Sequence, residues 1–390
     1  MNIEEKKHYY FYCCIENDLL INAGISQIIK LTNPKSFNTL LVTSHPRIIN
    51  KFSKYSQYFD DVIQLPFCSF SKNIFYELRK ANKLIKSLKN IEFNNNSILF
   101  MFDIYDFADL IVYKKIKENR NTKTAIVTAF ERDELNPKSR TIVLKGTILK
   151  SFYSLLFTRK LFYEYKTKDS QYDGINYFLA KPDIQICINN SNYRTKAKAI
   201  YKEIPSPSVL LNSNNFNNII EGNDAIIIFI ESSVVSRLRD YWNILNKIIN
   251  KLKINNNNIY IKDHPNSKIT NYTELIGNDI KIIDSKVPAE ELFIKHSENI
   301  SSVFAHGSTA LITASWFGIK GYDLTSLFSF SKSMINRFNK FLELGDNISL
   351  IDNINKLDNI KKGKTNPKID KNHIISKWAE VVKSIDKIKQ

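Results

Sequence analysis

Two successive series of strand-like and helix-like runs, joined by one aperiodic stretch, constrain this chain more than any other feature. In the first series "YYFYCCI" leads into "LLINAGISQIIKL". "TLLVTS", "DVIQL", "SILFMFDIY" and "TAIVTAF" follow, interleaved with amphipathic runs such as "RIINKFSKYSQYF" and "IFYELRKANKLIKSL". Such alternation predicts βα units and a parallel sheet. A helical pattern over 141–165 and the strand candidate "KPDIQICIN" close this half. The second series opens with "DAIIIFI" at 224–230, a near-continuous apolar run that suits a strand covered on both faces. It continues through a helix at about 236–252, strands in "NIYIKDH" and "DIKIID", a helix over "PAEELFIKHS", the strand "SVFAH" and a helix starting near Ser308. Between the series, "KEIPSPSVLLNSNNFNNIIEGN" is rich in Pro, Ser and Asn and lacks a period, as a linker would. The expected organisation is an N-terminal α/β domain over 1–205, a C-terminal one over 206–360, and a basic helix or tail over 361–390.

With 390 residues, 43% of them hydrophobic, and 25 Phe and 19 Tyr, the chain can fill two such cores and is not of disordered composition. Its net charge of +17 raises the local concentration of anionic partners: nucleic acid, anionic lipid or charged sugar donors. Nucleic acid is disfavoured, because Lys is spread along the chain and no recognised nucleic-acid motif occurs. Cys13, Cys14, Cys68 and Cys187 form no C-x-x-C pair, and no His stands at metal-ligand spacing beside them. That usage fits a reduced, cytoplasmic interior. "YYFYCCI" follows Glu4 and Glu5 and is too short and acid-flanked for a signal peptide, and no stretch approaches the ~20 apolar residues of a membrane span. A soluble protein, or one peripheral at the inner face of the membrane, is expected. The segment 361–390 carries nine Lys against Asp370, Glu380 and Asp386, a net +6 that anionic lipid would attract. Ile374, Trp378, Val381 and Val382 within it have helical spacing, which predicts a terminal helix packed by one face.

Three stretches of the second half carry chemistry. In "IYIKDHPNSK" (259–268) a strand runs into a Lys-Asp-His-Pro corner, and Pro265, which has no N–H for a sheet ladder, stops the strand near His264. His264 then stands at a strand's carboxyl end, the edge where open α/β sheets bind ligands. In "SVFAHGSTALITASWFGIKGYDLTS" a strand meets Gly307, Ser308 and Thr309 just before a helix. Gly307 permits a tight turn, and a helix N-terminus capped by Ser308 or Thr309 leaves N–H groups that suit a phosphate. Between the two, "KVPAEELFIKHS" begins a helix in which Pro288 fits the first turn and Glu290 and Glu291 complement the dipole.

The order K-x-H-P, P-x-E, then paired Ser/Thr before a helix resembles the bacterial sialyltransferases of the GT-B fold, nearest to capsule polysialyltransferases and lipooligosaccharide sialyltransferases. The likeness is clearest over about 224–325. It implies two Rossmann-like α/β domains facing a central cleft, and metal-independent, inverting transfer of sialic acid from CMP-Neu5Ac to a glycan or glycolipid hydroxyl without a cofactor. It implies that His264 serves the departing CMP phosphate as acid or hydrogen-bond donor, with Pro265 beside it. Ser308 and Thr309, next to Gly307, would hold the same phosphate, Glu290 would contact the nucleotide, and Lys262 would lie near the donor.

The family's base is an acidic pair followed by Gly at a strand end of the N-terminal domain. The corresponding "TAIVTAFERDELNPKSR" holds Glu131, Asp133 and Glu134 but lacks the Gly, and its register is offset. Glu131 and Asp133 are the favoured candidates. Asp103 and Asp106 in "LFMFDIYDFADL" also follow a strand, and "YDG" at 172–174 has the letters in a non-strand context. His45-Pro46 repeats the HP letters in the wrong half and reads as a turn, while His306 reads as a structural histidine beside the phosphate loop. Alternatives are a GT-B transferase for another anionic donor, CMP-Kdo or a polyol phosphate, and a non-catalytic polyanion-binding protein.

Overall fold

A computed structural model describes residues 7–45, 48–49, 51–69, 73–93, 97–102, 107–118, 122–129, 140–159, 161, 163–168, 172–178, 181–189, 197–230, 238, 240–255, 258–264, 280–332, 335, 339, 343, 345–360 and 369–388. The chain forms two compact units, residues 1–211 with 371–390, and residues 212–370.

The first unit runs β1 (His8–Cys13), α1 (Glu16–Thr32), β2 (Phe37–Thr43), β3 (Asp61–Leu65), α2 (Ile74–Lys89), β4 (Ile98–Phe102), α3 (Phe107–Glu118) and β5 (Lys123–Thr128). It continues with α4 (Arg140–Thr158), the antiparallel pair β6 (Tyr163–Lys168) and β7 (Tyr172–Phe178), β8 (Ile184–Ile188) and β9 (Ala199–Ile204). Its seven-stranded sheet has the order β3-β2-β1-β4-β5-β8-β9, and every pairing is parallel. The predicted βα units are therefore present. Within "RIINKFSKYSQYF" the described residues Phe52–Lys54 and Ser56–Tyr58 form two short 3₁₀ turns. Residues 172–174, expected outside a strand, open β7. The core on one sheet face joins Tyr10, Tyr12, Leu99 and Met101 to α2, α3 and Tyr153 of α4. All four cysteines are buried thiols without a disulfide, and burial raises Cys13 and Cys14 well above the usual thiol range.

The second unit runs β10 (Ala225–Ile230), α5 (Tyr241–Asn255), β11 (Ile259–Asp263), β12 (Lys281–Ile283), α6 (Ala289–His296), β13 (Ile300–Ala305), α7 (Thr309–Trp316), β14 (Lys320–Asp323) and β15 (Ile348–Leu350). Its six strands, all parallel, have the order β12-β11-β10-β13-β14-β15. That is the Rossmann order 3-2-1-4-5-6, and five strands of the first sheet begin with the same 3-2-1-4-5. All six residues of β10 are buried, as its unbroken apolar run requires at the centre of a parallel sheet.

The expected boundary at 205/206 moves to 211/212. Ser206 to Leu211, read as linker, are buried, and the Pro207 carbonyl packs onto Gly24 of α1 so closely that a Cβ there would lie 2.3 Å from its oxygen. The segment read as a separate tail likewise returns to the first unit as α8 (Lys371–Lys387). Its Ile374, Trp378, Val381, Val382 and Ile385 are buried, and Trp378 Nε1 donates to the Pro205 carbonyl at 2.8 Å. Lys377, Lys383 and Lys387 face solvent.

Candidate functional site

In the second sheet the strand order reverses between β10 and β13, and ligands of open α/β sheets lie outside the carboxyl ends of strands at such a point. The sequence places His264 just after β11 and Gly307-Ser308 just after β13. Both strands pair with β10, so their ends stand two strand spacings apart, about 10 Å. The topology thus brings the two landmarks to one edge of the second sheet.

On the β11 side the strand ends at Asp263. The His264 amide donates to the Ile230 carbonyl at 3.1 Å and to Asp263 Oδ1 at 2.7 Å, which anchors the backbone while the residue itself is exposed. Lys262 is buried, and its Nζ lies 5.9 Å from the Phe229 ring centre. That ammonium donates to the carbonyls of Asp263 and Ser285, each at 3.1 Å. Lys262 therefore ties the strand end to the loop that leads into α6. Pro288 is the N-cap of that helix, one residue before the first turn, and Glu290 is partly exposed within the turn while Glu291 is buried. At the other end of α6, His296 Nε2 accepts from the Ile219 amide at 3.1 Å and its ring also bonds the Asn217 backbone; burial lowers its pKa and keeps it neutral.

On the β13 side Gly307 adopts φ +58, a conformation that costs other residues a Cβ clash. Its amide donates at 3.0 Å to Oδ1 of Asp323, a fully buried residue at the end of β14. The same oxygen accepts the Thr325 hydroxyl at 2.7 Å, and Oδ2 accepts the Thr325 amide at 3.3 Å. Burial raises the Asp323 pKa, and these three donors oppose the rise. Ser308 caps α7, its Oγ accepting from the Ala310 amide at 3.2 Å, and the Leu311 amide bonds the Ser308 carbonyl. Among the described residues no group accepts from the Ser308 or Thr309 amides or from the Thr309 hydroxyl. These donors stand at the positive end of a helix dipole, an arrangement that binds phosphate.

His306 sits behind this loop. Its Nε2 lies 3.0 Å from the Tyr241 hydroxyl, and the rings of Tyr241, Phe328 and Phe330 surround it. Burial lowers its pKa to about 4, against the pull of its own backbone acceptor and of Asp263. It is thus a neutral structural histidine, as expected. His45 opens a turn, its carbonyl accepting from the Ile48 and Ile49 amides. Pro265, Asp103, Asp106, Glu131, Asp133 and Glu134 lie outside the described residues. Asp323, Thr325 and Tyr241 were not singled out in the sequence.

The sequence profile of the alpha-2,8-polysialyltransferase family matches residues 21–322, more than half of the chain. The chain belongs to the alpha-2,8-polysialyltransferase family. Its matched region contains Lys262, His264, Glu290 and the Gly307-Ser308-Thr309 turn. Solved structures share the fold. The UDP-GlcNAc 2-epimerase of Methanocaldococcus jannaschii superposes with a TM-score of 0.52 at 13% identity, covering 97% of this chain and 99% of that one. UGT71G1 of Medicago truncatula, complexed with UDP-glucose, gives 0.52 at 11% identity and 99% coverage of both chains. No curated protein matches the chain's sequence. Family and fold together make this polysialyltransferase-family member a glycosyltransferase with two Rossmann-like domains of the GT-B type.

Proposed function

We propose that the chain transfers sialic acid from CMP-Neu5Ac to a hydroxyl of a surface glycan, lipooligosaccharide or capsule. The observation that carries this reading is the convergence of the His264 corner and the open N-terminus of α7 at the switch point of the second sheet. In the reaction the acceptor oxygen bonds to the anomeric carbon as the bond from that carbon to the CMP phosphate oxygen breaks, with inversion. The departing phosphate meets the Ser308 and Thr309 amides, the Thr309 hydroxyl and the helix dipole, donors aimed where negative charge develops. His264 donates a hydrogen bond or a proton to the phosphate oxygen, and Glu290, on the α6 turn that Lys262 helps to hold, contacts the nucleotide. The acceptor's proton passes to Glu131 or Asp133, assigned from the sequence.

These donors stabilise the leaving group through hydrogen bonds and helix charge, so the mechanism needs no metal ion. An acceptor carried on lipid would bring the chain to an anionic membrane surface, to which its +17 charge is attracted. The deciding experiment offers CMP-Neu5Ac, CMP-Kdo and UDP-sugars separately, with and without EDTA, and reads free nucleotide. Release from CMP-Neu5Ac that survives EDTA is expected. Release from CMP-Kdo or a UDP-sugar alone would replace the donor, and full loss on chelation would overturn the mechanism.

A further inference from the structure

Helix α4 has two apolar faces, and the fold uses one. Leu149, Tyr153 and Phe157 turn inward onto the first unit's core, the Tyr153 and Phe157 rings lying 4.8 and 4.5 Å from that of Phe107. Leu144, Ile148, Phe152, Leu155 and Leu156 are 45% to 61% exposed. At about 100° per residue they form one continuous arc of about 120°, which meets the inward face beside Leu149. Each of these side chains keeps about half of its surface exposed, although the helix also packs against β6 and β7. A solvated helix face would carry mixed charges instead. Arg140 to Thr158 contains no Asp or Glu, only Arg140, Lys145 and Lys150, and Arg159 follows directly. Lys145 lies on the exposed arc itself.

A second exposed apolar group lies in the first turn of α2. The same turn carries Phe75, 83% exposed, and Tyr76, 56% exposed, with Lys80 Nζ 4.2 Å from the Tyr76 ring centre. Aliphatic and aromatic side chains with cations and no acid on the helix are what an interfacial helix presents to a bilayer.

We infer that α4 docks the protein on an anionic bilayer by laying its outward arc into the headgroup boundary. Charge selects this occupant over a second copy of the chain: two molecules of +17 repel, whereas anionic lipid attracts each of them. The basic α8 cannot be the apolar anchor, because its own apolar face, Trp378 included, is spent inside the first unit. The inference deepens the proposed work on a lipid-held acceptor, and its test is read separately from transfer.

The full-length protein is floated with vesicles of phosphatidylcholine alone and of phosphatidylcholine with phosphatidylglycerol. The comparison is with the triple variant Ile148→Gln, Phe152→Gln, Leu155→Gln. Wild type is expected to bind the anionic vesicles, and the variant to bind them about tenfold more weakly, with unchanged melting and unchanged transfer to a soluble acceptor. Should the triple variant fail to fold, Ile148→Trp reports instead: brominated phosphatidylglycerol should quench its fluorescence. Equal binding by wild type and variant, or no quenching, overturns the inference whatever the donor screen shows. Sedimentation of a wild-type dimer that the variant abolishes, with no vesicle binding, also overturns it in favour of a contact between copies.

Discussion

Acidification tests the packing behind the Gly307-Ser308 turn. His306 is buried, and one of its ring nitrogens bonds to its own backbone, which leaves Nε2 to accept from the Tyr241 hydroxyl in the neutral tautomer. Its pKa falls from 6.5 to about 4 on folding. Because the folded value is the lower one, the unfolded chain binds more protons between those values, and stability rises with pH across that window. The neutral imidazole's contribution is fully present above pH 6.5 and is lost as pH falls toward 4. At 1.36 kcal/mol per unit the loss is about 3 kcal/mol, a large share of the roughly 5–15 kcal/mol that stabilises a domain. Other groups titrate in the same window, so the measurement is a difference. Urea unfolding of wild type and His306→Gln is followed from pH 7 to pH 4, the variant keeping an acceptor for Tyr241 without titrating. Wild type should lose about 3 kcal/mol more than the variant. Parallel losses, or a His306 ring that titrates near 6.5 by NMR, would refute the assignment.

Four further outcomes are expected. His264→Ala should lower turnover by roughly 10²- to 10⁴-fold, the usual scale of acid–base assistance, with little change in melting because the residue is exposed; wild-type turnover in the folded variant would remove His264 from the chemistry. Asp323→Ala leaves the Gly307 amide and Thr325 hydroxyl without an acceptor, at about 1–3 kcal/mol each, and CMP affinity by calorimetry should fall with stability; unchanged affinity would mean the loop holds itself. Gly24→Ala drives a Cβ against the Pro207 carbonyl and should cost about 1–3 kcal/mol of melting stability, whereas an unaltered melting curve would show that the 207–210 turn is not held on α1. Of Glu131→Gln and Asp133→Asn, the one that removes the base should abolish transfer yet bind CMP normally, and normal transfer by both would move the search to Asp103 and Asp106.

The two series of βα units were legible because parallel strands covered on both faces need long apolar runs, and β1, β4 and β10 are such runs. The strand order was not legible, since periodicity says which residues face a core but not which strand lies beside which. The apparent linker failed for a related reason. Residues 206–211 have no helical or strand period because they form a 3₁₀ turn held by α1, and a missing period alone does not separate packed irregular chain from solvated chain. Helix α8 shows the converse: the spacing of Ile374, Trp378, Val381 and Val382 announced its buried face, while its unit was invisible because the chain reaches it only after the whole second unit.

At the site, local signals located the ends of elements, and longer-range pairing decided what each end does. The turn at Gly307-Ser308 was readable because glycine at positive φ and a serine cap are local requirements of that backbone. Asp323 was not, because its acceptor role exists only once β14 pairs with β13 and brings its carboxylate under the Gly307 amide sixteen residues away. Lys262 shows the same limit from the other side. The resemblance placed Lys262 near the donor, and the fold shows what else holds it: its ammonium is buried and donates to two backbone carbonyls. A buried ammonium that lost such acceptors would carry an uncompensated desolvation cost, so Lys262 holds the strand end and the α6 loop together more firmly than a solvated lysine could. In the proposed reaction Lys262 would act through the position of Glu290, and Lys262→Met should lower melting stability by loosening the loop into α6 before it alters the charge offered to the donor.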